Sequence, residues 1–492
     1  MGKHKVIVVG SGFAGLSVAS NLAFEGCDVT IVEKNSTFGG RARQFSEDGF
    51  TFDMGPSWYW MPDVFDSYFA HFGKKTSDYY HLDRLDPSYS VFFPKGDRMD
   101  IPANFEAFCE LFESYEPGSS DNLKKFLDEA EYKYKVGMND LVYKPGKSLT
   151  EFVDWRVVSG VFKLQLLSSL SGHVRKYFKH PYLIELLEFP VLFLGAMPSK
   201  TPALYSLMNY ADIKLGTWFP RGGMHKIVEG MVKLAEELGV TFRADAAVES
   251  IEVKNGKASG VFVNGEFLEA DTVVSAADYH HTEQKLLEPK YRNYSEAYWE
   301  SRTMAPSSLL YYLGVKGKID GLEHHNLFFD EDFTTHARQI YENPEWPDKP
   351  LFYVSVTSKT DASVAPEGDE NLFILIPTAP GMIETPEIKE EYYLLVMNRM
   401  EKILNQKIKE RVIFRRDFAC SDFTNEYNSF KGNAYGLANT LKQTAILKPS
   451  MQSKKVKSLY YTGQLTVPGP GVPPSLISGR VVAKEVMKTI KA

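Results

Sequence analysis

One stretch near the start of the chain limits the folds open to it. An apolar, β-branched run, Lys5-Val6-Ile7-Val8-Val9, leads into Gly10-Ser11-Gly12-Phe13-Ala14-Gly15, and residues 16–23 have helical spacing. A second apolar run, residues 28–32, ends on Glu33. Strand, G-x-G-x-x-G, helix, strand and acid, in that order, form the βαβ unit that binds a dinucleotide. We therefore expect an α/β fold with a Rossmann-like parallel sheet.

Each residue type in this unit has a physical role. Gly10 permits a tight turn, Gly12 lets the backbone approach a pyrophosphate, and Gly15 lets the helix pack closely on the strand. The start of the helix offers unpaired N–H groups and partial positive charge to phosphate. Glu33 is expected to accept hydrogen bonds from ribose hydroxyls, and its charge disfavours the 2′-phosphate of NADP.

A second glycine turn narrows the choice of dinucleotide. Gly39-Gly40-Arg41 follows Glu33, and the segment Phe52-Asp53-Met54-Gly55-Pro56-Ser57 comes next. This order resembles the extended signature of the amine-oxidase-like FAD superfamily, which implies FAD as the cofactor. The two glycines would allow another close backbone approach, and Arg41 would neutralise pyrophosphate charge. A solvated basic turn is the alternative for Arg41.

An aromatic cluster, Trp58-Tyr59-Trp60, directly follows this segment. It predicts either an apolar wall beside the flavin or an ordinary core cluster. The residue types do not separate these two interpretations.

Composition and cysteine usage exclude several classes of protein. The chain has 492 residues, 43% of them hydrophobic, which is typical of a globular protein with two domains. Its net charge of −7 argues against a nucleic-acid partner. Cys27, Cys109 and Cys420 are too few and too widely spaced for a disulfide framework or a metal site, so we expect no metal and a cytoplasmic location.

The sequence also argues against an integral membrane protein. The longest apolar candidates, residues 189–198 and 309–315, fall well short of the roughly 18 residues that a membrane-spanning helix needs. The first motif begins at residue 5, so we expect no signal peptide. Residues 149–210 mix apolar bulk with basic side chains, which suits either a helical part on an anionic membrane surface or an amphipathic cover over a substrate domain.

Separated segments are expected to share one nucleotide-binding domain. Hairpin turns at Asn255-Gly256 and Asn264-Gly265 mark a meander, and a strand, a Gly/Pro-rich turn and a helix end the chain. We predict a discontinuous FAD-binding domain, interleaved with a mixed-sheet and helical substrate domain. The FAD-binding segments are residues 1–75, 218–290 and 445–492, and the substrate-binding segments are residues 76–217 and 291–444.

Over essentially its whole length, the chain resembles the bacterial and fungal type of phytoene desaturase, a family of FAD-dependent carotenoid desaturases. The resemblance is carried by residues 10–15, 33, 39–41, 52–56, 219–224, 428–437 and 462–474. The family usually ends with Gly-Ala-Gly and Pro-Gly-Ala-Gly-Ile-Pro-Gly, whereas this chain has Thr462-Gly463-Gln464 and a turn ending in Pro473-Pro474. The permissive glycines are kept, so flavin binding is still expected, while the choice of carotenoid stays open.

The resemblance and the motifs together define a candidate cofactor site. The residues that we predict to contact FAD are Gly10, Gly12, Gly15, Glu33, Gly40, Arg41, Gly55, Pro56, Ser57, Trp58, Val248, Gly463, Gly471, Val472 and Pro473.

The resemblance implies desaturation of a lipophilic polyene by hydride transfer to flavin. An allylic C–H is too weak an acid for a histidine or an aspartate to ionise alone, so we expect no catalytic triad and assign no catalytic residue. Phytoene is slightly favoured as the substrate over a later hydroxylated or monocyclic carotenoid desaturated at its 3,4 position. We expect a peripheral enzyme on the inner face of the membrane, with a quinone or dioxygen as electron acceptor.

Two other functions remain open on this fold. A flavin amine oxidase would act on soluble amines and release hydrogen peroxide. A non-catalytic escort protein would bind a prenylated partner, but such proteins tend to have degraded flavin motifs, whereas Gly12, Glu33 and Arg41 are intact here.

Overall fold

The fold is built on two large sheets, one parallel and one mixed. The computed structural model describes residues 2–148, 151, 168–195, 197–440 and 443–491. The described strands are β1 (Lys5–Val9), β2 (Asp28–Val32), β3 (Gln44–Glu47), β4 (Phe50–Asp53), β5 (Leu82–Arg84), β6 (Tyr89–Phe92), β7 (Arg98–Ile101), β8 (Trp218–Pro220), β9 (Thr241–Arg243), β10 (Val248–Lys254), β11 (Lys257–Val263), β12 (Glu266–Glu269), β13 (Thr272–Ser275), β14 (Ser307–Val315), β15 (His325–Phe328), β16 (Phe352–Ser355), β17 (Glu370–Thr378), β18 (Val412–Phe418) and β19 (Leu459–Tyr461).

The helices lie between these strands and after them. The described α-helices are Phe13–Phe24, Pro62–His71, Phe105–Tyr115, Ser119–Val136, Leu170–Tyr177, Pro181–Glu188, Leu207–Tyr210, His225–Glu237, Tyr279–Lys285, Glu296–Glu300, Phe333–Tyr341, Pro386–Leu404, Cys420–Tyr427 and Val472–Lys491. Within the described ranges, none of them is long and apolar enough to cross a membrane.

The parallel sheet has the strand order β19-β13-β1-β2-β9. Successive residues of β1 face different cores: Val6 and Val8 pack in one hydrophobic cluster, and Ile7 and Val9 pack in another. Both faces of the strand are therefore covered, which is why its sequence is a continuous apolar run instead of an alternating one. The Rossmann-like α/β prediction is confirmed.

The first and last described helices hold this sheet together on one face. A Cβ added to Gly479 would lie 2.5 Å from the carbonyl oxygen of Ala14. Ser17 Oγ donates a hydrogen bond to the carbonyl oxygen of Leu476 at 2.7 Å. Helix Val472–Lys491 therefore approaches helix Phe13–Phe24 at a distance that only glycine allows.

The mixed sheet has the order β18-β14-β17-β16-β15-β6-β7, in which only the pair β15 and β6 is parallel. The sequence pattern predicts strands at 308–315, 351–356 and 371–377, and these match β14, β16 and β17. The edge strand β18 was not predicted. It carries Arg415 and Arg416 beside apolar residues, and such charged residues are common on edge strands, where they hide the apolar pattern.

Two local features test the turn and helix predictions. Asn255 and Gly256 have φ of 51° and 73° and join β10 to β11 as the predicted hairpin. The sequence pattern predicts helices over 149–155, 157–170 and 180–194, and the last of these ends at Glu188 and continues as a tighter 3₁₀ turn, Phe189–Leu194. Pro190 has no N–H for an α-helical hydrogen bond, which explains the change. The helices predicted at 149–155 and 157–170 lie almost wholly outside the described residues.

Segments distant in the sequence meet in both sheets. The parallel sheet takes strands from residues 5–9, 28–32, 241–243, 272–275 and 459–461. The mixed sheet joins β6 and β7 to strands that begin only at residue 307. The boundaries proposed for the two domains stay predictions.

We expect Gly479→Ala to destabilise the fold, because the new methyl group would meet the backbone of Ala14 and the side chain of Ser17. Overpacking of this kind typically costs about 1–3 kcal/mol, measurable as a lower urea midpoint. Gly137→Ala is the control: it has helical φ and ψ, and its added Cβ lies at an ordinary 3.5 Å from Leu207. An equal loss in both variants would contradict the proposed close packing.

Candidate cofactor and substrate site

The first glycine loop combines two tight contacts with one open position. Gly10 has φ of 96°, and a Cβ on Gly15 would lie 2.0 Å from the carbonyl oxygen of Gly10. A Cβ on Gly12, in contrast, would have no described atom within 4 Å. Gly10 and Gly15 therefore shape the turn, whereas Gly12 leaves an open cradle of the kind that a phosphate group fills.

The second glycine turn packs directly on the first. The N–H of Gly39 donates to the carbonyl oxygen of Ser11 at 3.1 Å, and a Cβ on Gly40 would lie 3.3 Å from the Cα of Gly12. A Cβ on Gly55 would lie 2.7 Å from the carbonyl oxygen of Arg41. The structure thus brings together the three predicted segments at residues 10–15, 39–41 and 54–58.

Glu33 is buried beneath the loop and is already hydrogen-bonded. Its Oε2 accepts from the N–H and the hydroxyl of Ser11 at 2.9 and 2.7 Å, and its Oε1 accepts from the backbone and side chain of Asn35, both at 3.0 Å. A ribose hydroxyl must therefore share this carboxylate with Ser11. The Ser11 hydroxyl can rotate to leave room for the ribose hydroxyl. The sequence analysis did not identify Ser11 as a hydrogen-bond partner of Glu33.

Arg41 is a half-buried cation with unused hydrogen-bonding capacity. Its Nη2 donates to Ser429 Oγ at 2.8 Å and to the carbonyl oxygen of Asn433 at 3.3 Å, while its buried Nε has no partner. Burial lowers the pKa of Arg41, and the charge of Asp278 partly offsets this effect. An unpartnered N–H on a buried guanidinium fits a phosphate ligand.

The remaining predicted cofactor residues lie around this centre. Ala246 donates its N–H to the carbonyl oxygen of Glu33 at 2.8 Å. Val248, the first residue of β10, therefore lies two residues along the chain from a direct contact with Glu33. Gly463 has φ of 111° and lies next to Ala14, since its Cβ would be 3.8 Å from that side chain. Gly471, Val472 and Pro473 lie at the start of the last helix. Pro473 and Pro474 have no N–H, so this helix start offers fewer hydrogen-bond donors than the start of helix Phe13–Phe24.

The three residues of the aromatic cluster differ in burial, and the position of Trp58 beside a flavin stays a prediction. Tyr59 and Trp60 are buried in the core. Trp58 is half-buried and stacks on His325, with ring centroids 4.2 Å apart and an interplanar angle of 12°. Its ring also lies 5.5 Å from Tyr353.

A buried polar network packs against this aromatic cluster. Asp212 accepts from Tyr89 Oη at 2.7 Å and from Thr217 Oγ1 at 3.2 Å, and Trp60 Nε1 donates to Thr217 Oγ1 at 2.9 Å. Burial raises the pKa of Asp212 to about 6. The rings of Tyr89 and Trp58 lie 5.3 Å apart, so the network and the aromatic wall are in direct contact.

An apolar cavity lies beyond this wall. It is formed by the mixed sheet, helix Phe333–Tyr341 and the segment around Tyr435. Its lining includes Phe189, Leu327, Phe333, Ile340, Tyr353 and Tyr435. No aspartate or glutamate is among the described residues that line it.

Two buried histidines lie near the aromatic wall: His336 lines the cavity, and His325 stacks on Trp58. His336 Nε2 donates to the carbonyl oxygen of Pro377 at 3.0 Å, and its Nδ1 accepts from the N–H of Leu351 at 3.0 Å. Burial lowers the pKa of His336 to about 4 and holds the pKa of His325 well below its usual range. Both ring nitrogens of His336 are hydrogen-bonded, so it has no free basic nitrogen.

The segment 429–436 joins the cavity to the second glycine turn. The amide of Gln464, oriented to suit its neighbours, donates to the carbonyl oxygen of Tyr435 at 3.1 Å and accepts from Arg41 Nη2 at 2.9 Å. The side chain of the same tyrosine lines the apolar cavity. Ser429, Asn433 and Gln464 were not predicted as site residues, because only the resemblance pointed to their segment and no local motif gave their role.

We expect Arg41→Met to reduce flavin retention by at least about tenfold, because it removes the charge and the free N–H that fit a phosphate. Arg43→Met is the control, since Arg43 is already paired with Glu426 at 2.5 Å. The flavin absorbance per protein and a titration of the cofactor-free protein measure both variants. Equal retention by both would contradict a cofactor role for Arg41.

We expect Asp212→Asn to change how stability depends on pH. The folded protein favours protonated Asp212, so its stabilising effect is complete below the ordinary pKa near 3.8 and is lost as the pH rises through about 6. Two pKa units correspond to about 3 kcal/mol. Between pH 4 and 7, the unfolding free energy of the variant should therefore rise relative to that of the wild type by up to this amount. A constant difference, measured by urea unfolding, would contradict the effect.

Comparisons with known proteins agree with this geometry. The family model of flavin containing amine oxidoreductases matches residues 13–487. A carotenoid 3,4-desaturase of Haloarcula japonica is 44% identical over 99% of this chain and 98% of its own length. A zeta-carotene-forming phytoene desaturase of Myxococcus xanthus is 33% identical over 98% of this chain and 94% of its own length.

The fold is also found in solved structures. An oxidoreductase from Methanosarcina mazei superposes with a TM-score of 0.64 at 16% identity, covering 99% of this chain and all of the other. At that identity the likeness concerns the fold alone, whereas the family match and the two relatives extend over nearly the whole sequence. The chain is therefore an oxidoreductase of the flavin containing amine oxidoreductase family and belongs to its carotenoid desaturases.

Proposed function

We propose that this protein is an FAD-dependent desaturase that introduces C=C bonds into a carotenoid. The observation that carries the proposal is the apolar cavity whose lining residue Tyr435 is joined through Gln464 to Arg41. A hydrocarbon substrate in the cavity would thus lie next to the proposed cofactor turn.

FAD is favoured over other flavins by the nucleotide-binding half of the site. The open cradle at Gly12 and the free N–H of Arg41 suit a pyrophosphate, and Glu33 suits the ribose of an adenine nucleotide. When bound, the flavin would supply the acceptor for a hydride from an allylic carbon.

The protein's own contribution is positioning and exclusion of water. Trp58 and Tyr353 form a rigid aromatic wall, and the apolar lining offers a polyene contacts along its length. The hydrogen bonds of His336 leave it no free basic nitrogen, so we assign no catalytic base.

The cavity argues against an amine oxidase. A protonated amine needs an acidic or strongly polar partner when it is desolvated, and the described lining has no carboxylate. The intact cofactor loops argue against a non-catalytic escort protein, which would not need the close approach of Gly12 and Gly40.

Two substrates are compatible with this site. The sequence resemblance slightly favours phytoene, and the M. xanthus relative is named a zeta-carotene-forming phytoene desaturase. The relative with 44% identity is named a carotenoid 3,4-desaturase, which supports a later carotenoid as the second candidate. We further propose a cytoplasmic protein on the inner membrane surface, with a quinone or dioxygen as acceptor, since the substrate is lipophilic and the flavin must be reoxidised.

Pigment analysis tests the function. The gene would be co-expressed with phytoene synthesis in a host that makes no carotenoids, and the same host would be supplied with later carotenoids in parallel. New conjugated products from either source support the proposal and identify the substrate. A folded, flavin-loaded protein that leaves every carotenoid unchanged would overturn it.

We expect Ala337→Phe to lower carotenoid turnover by about tenfold or more while flavin retention stays unchanged, because the added ring would occupy the cavity. Thr334→Phe adds the same ring to the exposed face of the same helix and is the control. Product formation and flavin absorbance are measured together. Normal turnover by the Ala337 variant would contradict the cavity as the substrate site.

A further inference from the structure

A second cavity shares no lining residue with the apolar one and has a different chemistry. Helix Pro62–His71 contributes Asp63, Val64 and Ser67, and the segment after helix Ser119–Val136 contributes Met138 and Tyr143. The last helix adds Arg480 and Lys484. None of these residues belongs to the cofactor or substrate site described above.

The two cations lie one helical turn apart on the same face of the last helix. Both lie over the ring of Tyr143, with their charged groups 5.8 Å from its centroid. Arg480 Nη2 also contacts His71 Nδ1 at 3.4 Å, while its buried Nε has no partner. Like charges at this spacing repel each other, so the arrangement costs stability unless an anion lies between them.

The neighbouring lysines on the same helix are neutralised, which makes this pair distinctive. Lys488 pairs with Glu485 at 2.7 Å, and Lys491 pairs with Glu25 at 2.9 Å. The charged groups that act on Lys484 are the cations Arg480 and Lys488, and burial together with both of them lowers the pKa of Lys484. Burial, followed by Arg480 and Lys484, likewise lowers the pKa of His71.

Asp63 is the one carboxylate among the described residues of the cavity, and it is already engaged. Its Oδ1 accepts a hydrogen bond from Tyr134 Oη at 2.8 Å. The cavity therefore combines an unpartnered Nε, two cations without a carboxylate between them and the hydroxyl of Ser67. This donor set suits an oxyanion with several acceptor oxygens.

We propose that Arg480 and Lys484 form a binding site for a phosphate group. The phosphate is either the headgroup of an anionic phospholipid or a free phosphate. As a headgroup site it would give the proposed membrane partner a defined contact on the protein, and to that extent the inference rests on the proposed function. Binding is measured without carotenoid, so its failure is distinct from a failure of the desaturase proposal.

The test uses the flavin-loaded full chain and two matched double variants. R480Q/K484Q removes two charges at the cavity, and K488Q/K491Q removes two charges from the same helix where both are paired with glutamates. The probes are vesicles of phosphatidylcholine with and without phosphatidylglycerol, assayed by co-sedimentation, and inorganic phosphate, assayed by calorimetric titration.

We expect R480Q/K484Q to weaken binding by about 30-fold, at roughly fivefold for each cation near an anionic surface, and K488Q/K491Q to weaken it less than about twofold. Binding of phosphatidylglycerol vesicles with this pattern supports a lipid headgroup. Binding of inorganic phosphate alone with this pattern supports a free phosphate. Equal losses in both variants, or no binding of either probe, would overturn the site.

A variant with the opposite sign keeps the test independent of folding defects. Asp63→Asn removes the negative charge from the cavity but keeps an oxygen that can accept from Tyr134. Binding of the effective probe should become several-fold tighter, a result that a damaged fold does not produce. Unchanged or weaker binding would count against an anion in this cavity.

Discussion

The close packing of the first and last helices is the constraint on which the rest of the structure depends. Gly479 brings helix Val472–Lys491 against the backbone of Ala14, and Gly15 brings helix Phe13–Phe24 against Gly10. These contacts are too short for any Cβ. The turn at Gly10 and the turn before Val472 are therefore held close to each other. Residues from the two ends of the chain are thereby joined into one site.

Arg41 extends this arrangement toward the substrate side. It contacts Ser429 and Asn433 and, through Gln464, is joined to Tyr435, whose side chain lines the apolar cavity. A cation that is buried without a carboxylate partner is costly in a folded protein. The cofactor phosphate that we propose for this position would offset that cost, and the same residue contacts the segment that carries Tyr435.

The two cavities differ in polarity and charge, and each matches the chemistry of its proposed ligand. The cavity at Tyr353 and Tyr435 is apolar, and burial lowers the pKa of the one histidine among its described lining residues, whereas the cavity at Arg480 and Lys484 is polar and cationic. A hydrocarbon that enters the first cavity is stabilised because it leaves water. An anion that enters the second cavity is stabilised because it neutralises cations that otherwise repel each other.

The sequence by itself determined the Rossmann-like sheet, the hairpins at Asn255-Gly256 and Asn264-Gly265 and the family, because these depend on local spacing and on backbone conformations that glycine and asparagine allow. Only the tertiary structure decided that the Ser11 hydroxyl donates to Glu33, that Gln464 joins Arg41 to Tyr435, and that Trp58 stacks on His325 while its two neighbours are buried in the core. These contacts join residues far apart in the chain. Their partners are chosen by packing and burial, which leave no local pattern in the sequence.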